Sequence, residues 1–96
     1  MRFRKMMKDI PKKTDEIEVR DLEEEIYVLS LKKGRIYRLN EMGSRIWALI
    51  DGKKTVDEII NSIFKTYDAS KSAIKKDVLD FIKKGVDSEI LEFKSR

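Results

Sequence analysis

Asp57 and Glu58 form an adjacent pair of carboxylates, a combination that elsewhere holds a divalent cation or divides acid and base roles in catalysis. Here both lie at the predicted N-terminus of a helix, where acidic side chains interact favourably with the helix dipole. Thr55 and Glu58 also have the spacing of a capping box, in which the Thr hydroxyl and the Glu carboxylate each accept a backbone N–H. We therefore interpret the pair as structural.

The composition of the chain also argues against an enzyme. Histidine and cysteine are both absent, which removes the commonest general base, the commonest zinc ligands and all thiol chemistry. Gly34 is a lone turn residue, and no glycine-rich loop is present to hold a phosphate. A chain of 96 residues predicts one small domain with little room for a deep active-site pocket. We expect no catalytic residue, no metal ligand and no cofactor.

Basic residues are concentrated at the N-terminus. Residues 1–13 carry a net charge of +5, whereas residues 14–96 sum to −1. We interpret residues 1–13 as a solvated or partly ordered basic arm and residues 14–96 as the folded domain; an arm that docks on a membrane surface or a partner is the alternative. Because the folded part is nearly neutral, we expect no nucleic-acid partner. With no apolar run long enough to span a membrane and no secretory signal, we expect a cytoplasmic protein without a membrane partner.

The elements that position these residues are three strands followed by three helices. The three strands begin at Ile17, Ile26 and Arg35. An acidic turn connects the first two, and a loop closed by Gly34 connects the second and third, which predicts an antiparallel meander. The predicted helices span 41–50, 56–67 and 71 to either 85 or 88, and Asn40, Thr55 and Ser70 are their N-caps. The predicted fold class is α+β, a three-stranded antiparallel sheet followed by a three-helix unit, and it is winged helix-turn-helix-like.

Two residues of the helices need separate interpretation. Trp47 lies beside an apolar stripe, which predicts a position in the core or at its edge. Gly85 either ends the third helix, or lies inside it at a frayed turn or at a close backbone contact, because an interior glycine costs about 1 kcal/mol relative to alanine.

The most specific motif of the chain runs from residue 37 to residue 59 and reads YRLNEMGSRIWALIDGKKTVDEI. It matches every position of the pattern Y-x-L-N-x-x-(G/A)-x-x-I-W-x-(L/I)-x-D-G-x-x-(T/S)-x-x-E-I. On this motif the chain resembles the PqqD family, whose members are also called recognition elements for ribosomally synthesised and post-translationally modified peptides (RiPPs). The resemblance covers roughly residues 17–91. It departs from the family at Gly85, where a large apolar residue is usual, and at Glu89, where glycine is usual.

The resemblance implies a peptide-binding adaptor and not an enzyme. In RiPP recognition elements the leader of a precursor peptide pairs with the third strand and lies against the third helix. The adaptor presents the leader to a modifying enzyme, often a radical S-adenosylmethionine enzyme, or to a leader peptidase in lasso-peptide systems. The implied mechanism here is β-strand addition to the open edge of residues 35–39.

On this basis eleven residues are candidates for contact with the peptide. They belong to the third strand and to one flank of the third helix: Arg35, Ile36, Tyr37, Arg38, Leu39, Lys71, Ile74, Lys75, Val78, Leu79 and Ile82. The apolar helix residues are expected to line a groove, and the basic residues to favour an acidic leader. The residues alone are more typical of a wide core stripe with surface lysines than of a groove, beside an edge strand that its arginines protect from aggregation. The resemblance favours the groove.

Two other functions stay open. In a winged-helix DNA-binding protein the third helix would enter DNA; it has five lysines, but also Asp77 and Asp80, and no side chain of the types that read base edges best. In a structural subunit the open edge would pair with a second copy, so the sequence is compatible with a monomer or a homodimer.

Overall fold

The computed structural model describes residues 6–94, which fold as two small sheets and three consecutive helices packed around one core. The elements are β1 (Pro11–Lys13), β2 (Ile17–Leu22), β3 (Glu25–Ser30), β4 (Arg35–Leu39), α1 (Glu41–Leu49), α2 (Val56–Thr66), α3 (Lys71–Asp87) and β5 (Leu91–Phe93). The order β2-β3-β4 confirms the predicted three-stranded antiparallel sheet and the α+β class. The pairing of β1 with β5 in a second sheet was not predicted.

Short connections set the register of the meander. Strands β2 and β3 are joined by Glu23 and Glu24 alone, both in the left-handed region with φ of 50° and 68°. Positive φ at both central residues is what a two-residue hairpin turn of type I′ requires. The acidic turn predicted from the sequence is therefore only two residues long. Between β3 and β4, Gly34 has φ 64° and its N–H donates to the Ser30 carbonyl at 2.8 Å.

Each helix begins at the cap that the sequence predicts. The Asn40 side chain accepts the N–H of Gly43 at 2.7 Å, and Ser70 Oγ accepts the N–H of Ala73 at 3.1 Å. The capping box of α2 is complete, because Thr55 Oγ1 accepts the Glu58 N–H at 3.2 Å and Glu58 Oε1 accepts the Thr55 N–H at 2.9 Å. This confirms the structural interpretation of Glu58.

The core lies between the inner face of the sheet and the apolar stripes of the three helices. Fully buried aliphatic side chains form its centre, each contributing about 1.5–3 kcal/mol of burial free energy; they are Val28, Ile46, Val56, Ile59, Ile60, Ile74, Val78 and Ile82. Trp47 is 3% exposed, as predicted, and the Lys13 Nζ lies 4.7 Å from the centre of its ring. Partial burial, which removes water from the ammonium, lowers the pKa of Lys13 although the Asp51 carboxylate opposes the shift.

Helix α3 continues through Gly85. Leu91 of β5 occupies the space where a side chain at residue 85 would lie, which explains why glycine stands inside the helix. A Cβ on Gly85 would overlap Leu91 Cδ1 and lie 2.8 Å from Leu91 Cγ. The helix ends two residues later, where Glu89 takes φ 58°. The N–H groups of Glu89 and Ile90 then donate to the carbonyls of Val86 and Gly85, at 3.1 and 3.0 Å. This is a Schellman ending with glutamate in the position that glycine usually takes, and the close-contact interpretation of Gly85 is confirmed.

Residues 6–13, part of the predicted solvated or partly ordered arm, are ordered and pack on the domain. Met6 is 3% exposed, and residues 11–13 pair with β5 in the register Pro11↔Phe93. The carbonyls of Met7 and Asp9 accept the first two N–H groups of α2, at 2.9 and 3.0 Å. A helix N-terminus leaves such groups without partners inside the helix, so this segment supplies acceptors that the sequence pattern did not reveal. Residues 1–5 of the predicted arm and residues 95–96 of the predicted domain lie outside the described residues.

Within residues 6–94, none of the helices combines the length and the apolar character needed to traverse a lipid bilayer.

Candidate functional site

Strand β4 has an open edge. It pairs with β3 on one side, and none of the other strands among residues 6–94 pairs with its second side. An edge of this kind presents a row of unpaired N–H and C=O groups to any extended chain that approaches it.

The hydrogen-bond pattern decides which groups of β4 face outward. The Leu31 N–H donates to the Glu16 carbonyl on the β2 side at 3.0 Å. Because successive residues of a strand point their backbone groups to opposite sides, Ser30 and Val28 face β4. Their partners are Arg35 and Tyr37, and Leu39 continues the same alternation. The N–H and C=O groups of residues 36 and 38 therefore point away from the sheet.

A cleft of about 410 Å³ lies between β4 and α3. Its walls come from β4, the start of α1, one face of α3 and the chain that follows α3: Tyr37, Arg38, Leu39, Asn40, Met42, Gly43, Ile46, Asp77, Asp80, Phe81, Lys84, Gly85, Ser88 and Ile90. The volume is in the usual range for ligand pockets. An extended segment that added to β4 would lie along this cleft.

The start of α1 approaches α3 closely at one end of the cleft. A Cβ on Gly43 would lie 3.1 Å from Phe81 Cε1 and 3.0 Å from the Asn40 oxygen that caps α1. A side chain at residue 43 would require the Asn40 cap or the Phe81 ring to shift. Gly43 thus allows the start of α1 to approach α3 closely.

Strand β4 runs antiparallel to α3 along the cleft. The loop before β4 lies beside the C-terminal end of α3, where the Nζ atoms of Lys32 and Lys33 lie 3.7 and 3.8 Å from the Glu89 carboxylate. The residues after β4 lie beside the middle of α3, where Gly43 meets Phe81. The lengths agree, since four residues of strand span about 13 Å and eight residues of helix about 12 Å.

The five candidate residues of β4 divide between its two faces. Tyr37 is half-buried and Leu39 is 9% exposed, and both line the cleft; Arg35 shares their face but is exposed. The Ile36 side chain is 67% exposed on the opposite face. Arg38 lies on that outer face too and contacts Glu25 at 3.6 Å, although part of it reaches the cleft rim. Glu25 also accepts the Tyr27 hydroxyl at 2.9 Å, which raises the pKa of Tyr27.

The four apolar candidates on α3 belong to the core. Ile74, Val78 and Ile82 are fully buried and Leu79 is 6% exposed, and none of them is among the residues that line the cleft. The predicted lining of the groove by these side chains therefore differs from the structure. The reason is that α3 turns its most apolar stripe toward α1 and α2, so the cleft receives the neighbouring, more polar stripe.

The two lysine candidates also lie away from the cleft. Lys71 is exposed and its Nζ lies 5.9 Å from the centre of the Phe64 ring of α2. Lys75 is exposed and does not line the cleft. The expectation that these lysines favour an acidic leader has no geometric support at the cleft.

The α3 residues that do line the cleft were not selected from the sequence as site residues. Asp77, Phe81, Lys84 and Ser88 recur at spacings of four, three and four, which places them on one face of the helix. Phe81 continues the apolar spacing of the helix core, and Asp77 was considered in the sequence for its effect on DNA binding. The spacing was visible, but a stripe with one aromatic and three polar residues is indistinguishable from an ordinary solvated face.

Fold and cleft together define a small α+β domain with an unpaired sheet edge beside a helix. The family model for Coenzyme PQQ synthesis protein D (PqqD) matches residues 25–91, from the start of β3 into β5. The chain therefore belongs to the PqqD family, which confirms the resemblance seen in the sequence. None of the curated proteins has significant sequence similarity to the chain.

Three solved structures are similar to this chain. TbiB1 in complex with the TbiA(beta) leader peptide is 28% identical with a TM-score of 0.77, covering 88% of this chain and 99% of that one. The PqqD truncation of Methylobacterium extorquens PqqCD, a functional and stand-alone RiPP recognition element, is 25% identical with a TM-score of 0.70, covering 86% and 88%. Lasso peptide synthetase B1 complexed with its leader peptide is 12% identical with a TM-score of 0.76, covering 85% and 96%, and supports the fold alone.

The winged-helix DNA-binding alternative receives no support from these comparisons. Neither the family nor any of the three structures is named for nucleic-acid binding.

Proposed function

We propose that this protein binds the leader segment of a ribosomally synthesised precursor peptide and delivers it to a modifying enzyme. The observation that carries the proposal is the open edge of β4 beside the cleft. Family membership adds to it, and so does the likeness to TbiB1, whose structure contains a leader peptide.

Binding would occur by β-strand addition to residues 35–39. The outward backbone groups of Ile36 and Arg38 offer two N–H donors and two C=O acceptors to the leader. Each hydrogen bond contributes about 0.5–1.5 kcal/mol, so the backbone gives a modest, sequence-independent affinity. Apolar leader side chains would add to it by entering the cleft over Tyr37, Leu39 and Phe81.

The protein would act as a non-catalytic adaptor without a cofactor of its own. By holding the leader, it raises the effective concentration of the attached core peptide at the partner enzyme. The partner would be a radical S-adenosylmethionine enzyme or a leader peptidase, and the site of action the cytoplasm.

The test is an amide NMR titration with a synthetic leader, taken from a short precursor encoded beside the gene of this protein. We expect chemical-shift changes concentrated at residues 35–39 and on the cleft face of α3. The Arg38→Pro variant removes one outward N–H without breaking the β3–β4 ladder, because proline is tolerated on a free strand edge. Because the proline ring also occupies the space through which a leader carbonyl would approach, the variant should abolish binding while the fold stays intact.

Two matched controls separate the backbone from the side chain. Arg38→Ala removes the guanidinium but keeps the N–H, and should retain most of the affinity. Val19→Pro removes an outward N–H on the opposite edge of the sheet, since β2 bonds to β3 through residues 18 and 20, and it should leave binding unchanged. Full affinity in Arg38→Pro would contradict strand addition. A stable homodimer whose β4 amides resist exchange and do not respond to leader would contradict it too.

A further inference from the structure

The charged residues on the cleft face of α3 follow an order along the helix. Asp77 and Asp80 lie in its first two thirds, and Lys84 lies near its end. Asp77 and Lys84 are exposed, and neither forms an ion pair with another residue of the described range 6–94. The exposed carboxylate of Asp80 lies 3.6 Å from Lys76 Nζ. One end of the cleft is thus acidic and the other basic.

Strand β4 reinforces this polarity. Because β4 runs antiparallel to α3, Arg35 lies at the end nearest Lys84, and Leu39 at the end nearest Asp77. Arg35 is exposed on the strand face that borders the cleft. Lys84 and Arg35 therefore place positive charge at the same end, and the acidic residues of α3 stand at the other. Arg38, which reaches the rim from the outer face of β4, is paired with Glu25.

We infer that the peptide that adds to β4 carries a basic, an apolar and an acidic side chain at alternate positions, in that order from its N-terminus. The inference rests on the proposed function and names the class of peptide that the same site takes. A peptide that pairs antiparallel with β4, the slightly more stable arrangement, runs in the same direction as α3. Its N-terminal part then faces Asp77 and Asp80, and its C-terminal part faces Lys84 and Arg35.

The spacing follows from the two geometries. Asp77 and Lys84 are separated by seven helical residues, or about 10.5 Å. Side chains of the added strand face α3 at every second position, and four residues of strand span about 13 Å. The difference of about 3 Å is within the reach of long charged side chains. The residue midway between the two charges faces Phe81 and the apolar floor of the cleft, so it is the apolar one.

A uniformly acidic peptide is disfavoured by the same geometry. Its N-terminal carboxylates would face Asp77 and Asp80, and like charges placed opposite each other destabilise the pairing. The expected preference of the basic residues for an acidic leader is therefore limited to the part of the peptide that faces Lys84 and Arg35.

The test uses a phage-displayed library of random dodecapeptides, selected in parallel on four proteins. They are the wild type, the Asp77→Lys/Lys84→Asp variant that inverts the cleft, the Lys83→Asp/Asp87→Lys control, and Arg38→Pro. The control pair is exposed and lies outside the cleft, so it reverses charges at unchanged net charge without touching the site. Circular dichroism checks that each variant is folded.

We expect the wild type and the control to enrich peptides with the basic residue four positions before the acidic one. The inverted variant should enrich the opposite order. In a synthetic peptide from the wild-type pool, exchanging the two charged residues keeps the composition, and should weaken binding to the wild type about ten-fold and strengthen binding to the inverted variant about ten-fold.

Each other outcome overturns one of the two proposals. Enriched peptides with no charge order, or with the same order on the wild type and the inverted variant, contradict the polarity while strand addition stands. A failure of the wild type to enrich any peptide, or enrichment of the same peptides by Arg38→Pro, contradicts strand addition and the polarity with it.

Discussion

Replacing Gly85 by alanine should destabilise the protein, although alanine is the better helix former. In an open helix the change would gain about 1 kcal/mol of stability. Here the added Cβ would overlap Leu91 Cδ1 and lie 2.8 Å from Leu91 Cγ, well inside van der Waals contact. Overfilling a packed core costs about 1–3 kcal/mol. The expected net loss is therefore about 1 kcal/mol, with an upper bound near 2 kcal/mol.

A double-mutant cycle with Leu91→Ala isolates the contact. Leu91 is 2% exposed, so its truncation alone should cost about 2–5 kcal/mol. In the double variant the alanine at 85 enters space that Leu91 has vacated, and its helix propensity is recovered. The double variant should consequently be more stable than the sum of the single changes predicts, by about 1–3 kcal/mol.

Urea unfolding followed by circular dichroism measures all four corners of the cycle. Gly34→Ala is the matched control. Alanine at residue 34 should also lower the stability, because φ is 64° there, but no atom lies within 4 Å of the added Cβ. Its effect should add to that of Leu91→Ala within about 0.5 kcal/mol. Additivity in the Gly85 cycle, or a gain of the full helix propensity in Gly85→Ala alone, would refute the packing argument.

Three further changes test local features of the fold. Glu89→Gly should stabilise by about 0.5–1 kcal/mol in urea unfolding, because relief of the left-handed backbone outweighs two exposed ion pairs; a loss of stability would contradict this. The double change Glu23→Asn with Glu24→Gly should raise the free energy of unfolding in urea by about 1–2 kcal/mol, because both residues have positive φ. An unchanged urea midpoint would count against a strained turn. Hydrogen bonds from the backbone N–H of Lys54, and next from its ammonium, hold the pKa of Asp51 well below its ordinary 3.8. The ionised carboxylate therefore stabilises the fold above pH 3.8, and this contribution is lost as the pH falls toward the pKa of Asp51 in the folded protein. Asp51→Asn should flatten the dependence of the urea midpoint between about pH 5 and pH 2, and an unchanged slope would refute the role.

The helices were predictable because their signals are local. Each helix begins at a residue whose side-chain oxygen accepts a nearby backbone N–H: Asn40, Thr55 and Ser70. The apolar spacing of α2 can likewise be recognised from the sequence alone. The turn at Glu23 and Glu24 has no such signal, since two glutamates adopt a conformation that Asn-Gly would normally supply. Its presence is enforced by the pairing of the strands on either side.

The packing of the N-terminal segment could not be predicted for a related reason. Residues 11–13 contain one proline and two lysines and have no strand propensity of their own. They form β1 because β5 offers a partner, with 91–93 lying some eighty residues further along the chain. Charge concentrated at a terminus suggested solvation, but long lysine side chains leave the backbone free to pair.

The composition of the cleft was not predicted. Residues 37–39 and the third helix contribute to its walls, yet four of the six α3 candidates were chosen because they were apolar, and the apolar stripe is buried by the other helices. An amphipathic pattern identifies the face that a helix gives to its own core. The face that it offers to a partner is the neighbouring stripe, and this becomes visible only when the position of β4 is known.

The charges of β4 bear on what completes its edge. Arg35 and Arg38 lie within four residues of one another, and both are exposed. If two copies of the chain paired antiparallel through this edge, the two Arg38 side chains would lie on one face of the ladder and the two Arg35 side chains on the other, and like charges close together across strands are destabilising. A peptide of different composition meets no such penalty. The same arginines that discourage self-association, and that limit aggregation through the exposed Ile36, thus leave the backbone groups of the edge free for a foreign strand.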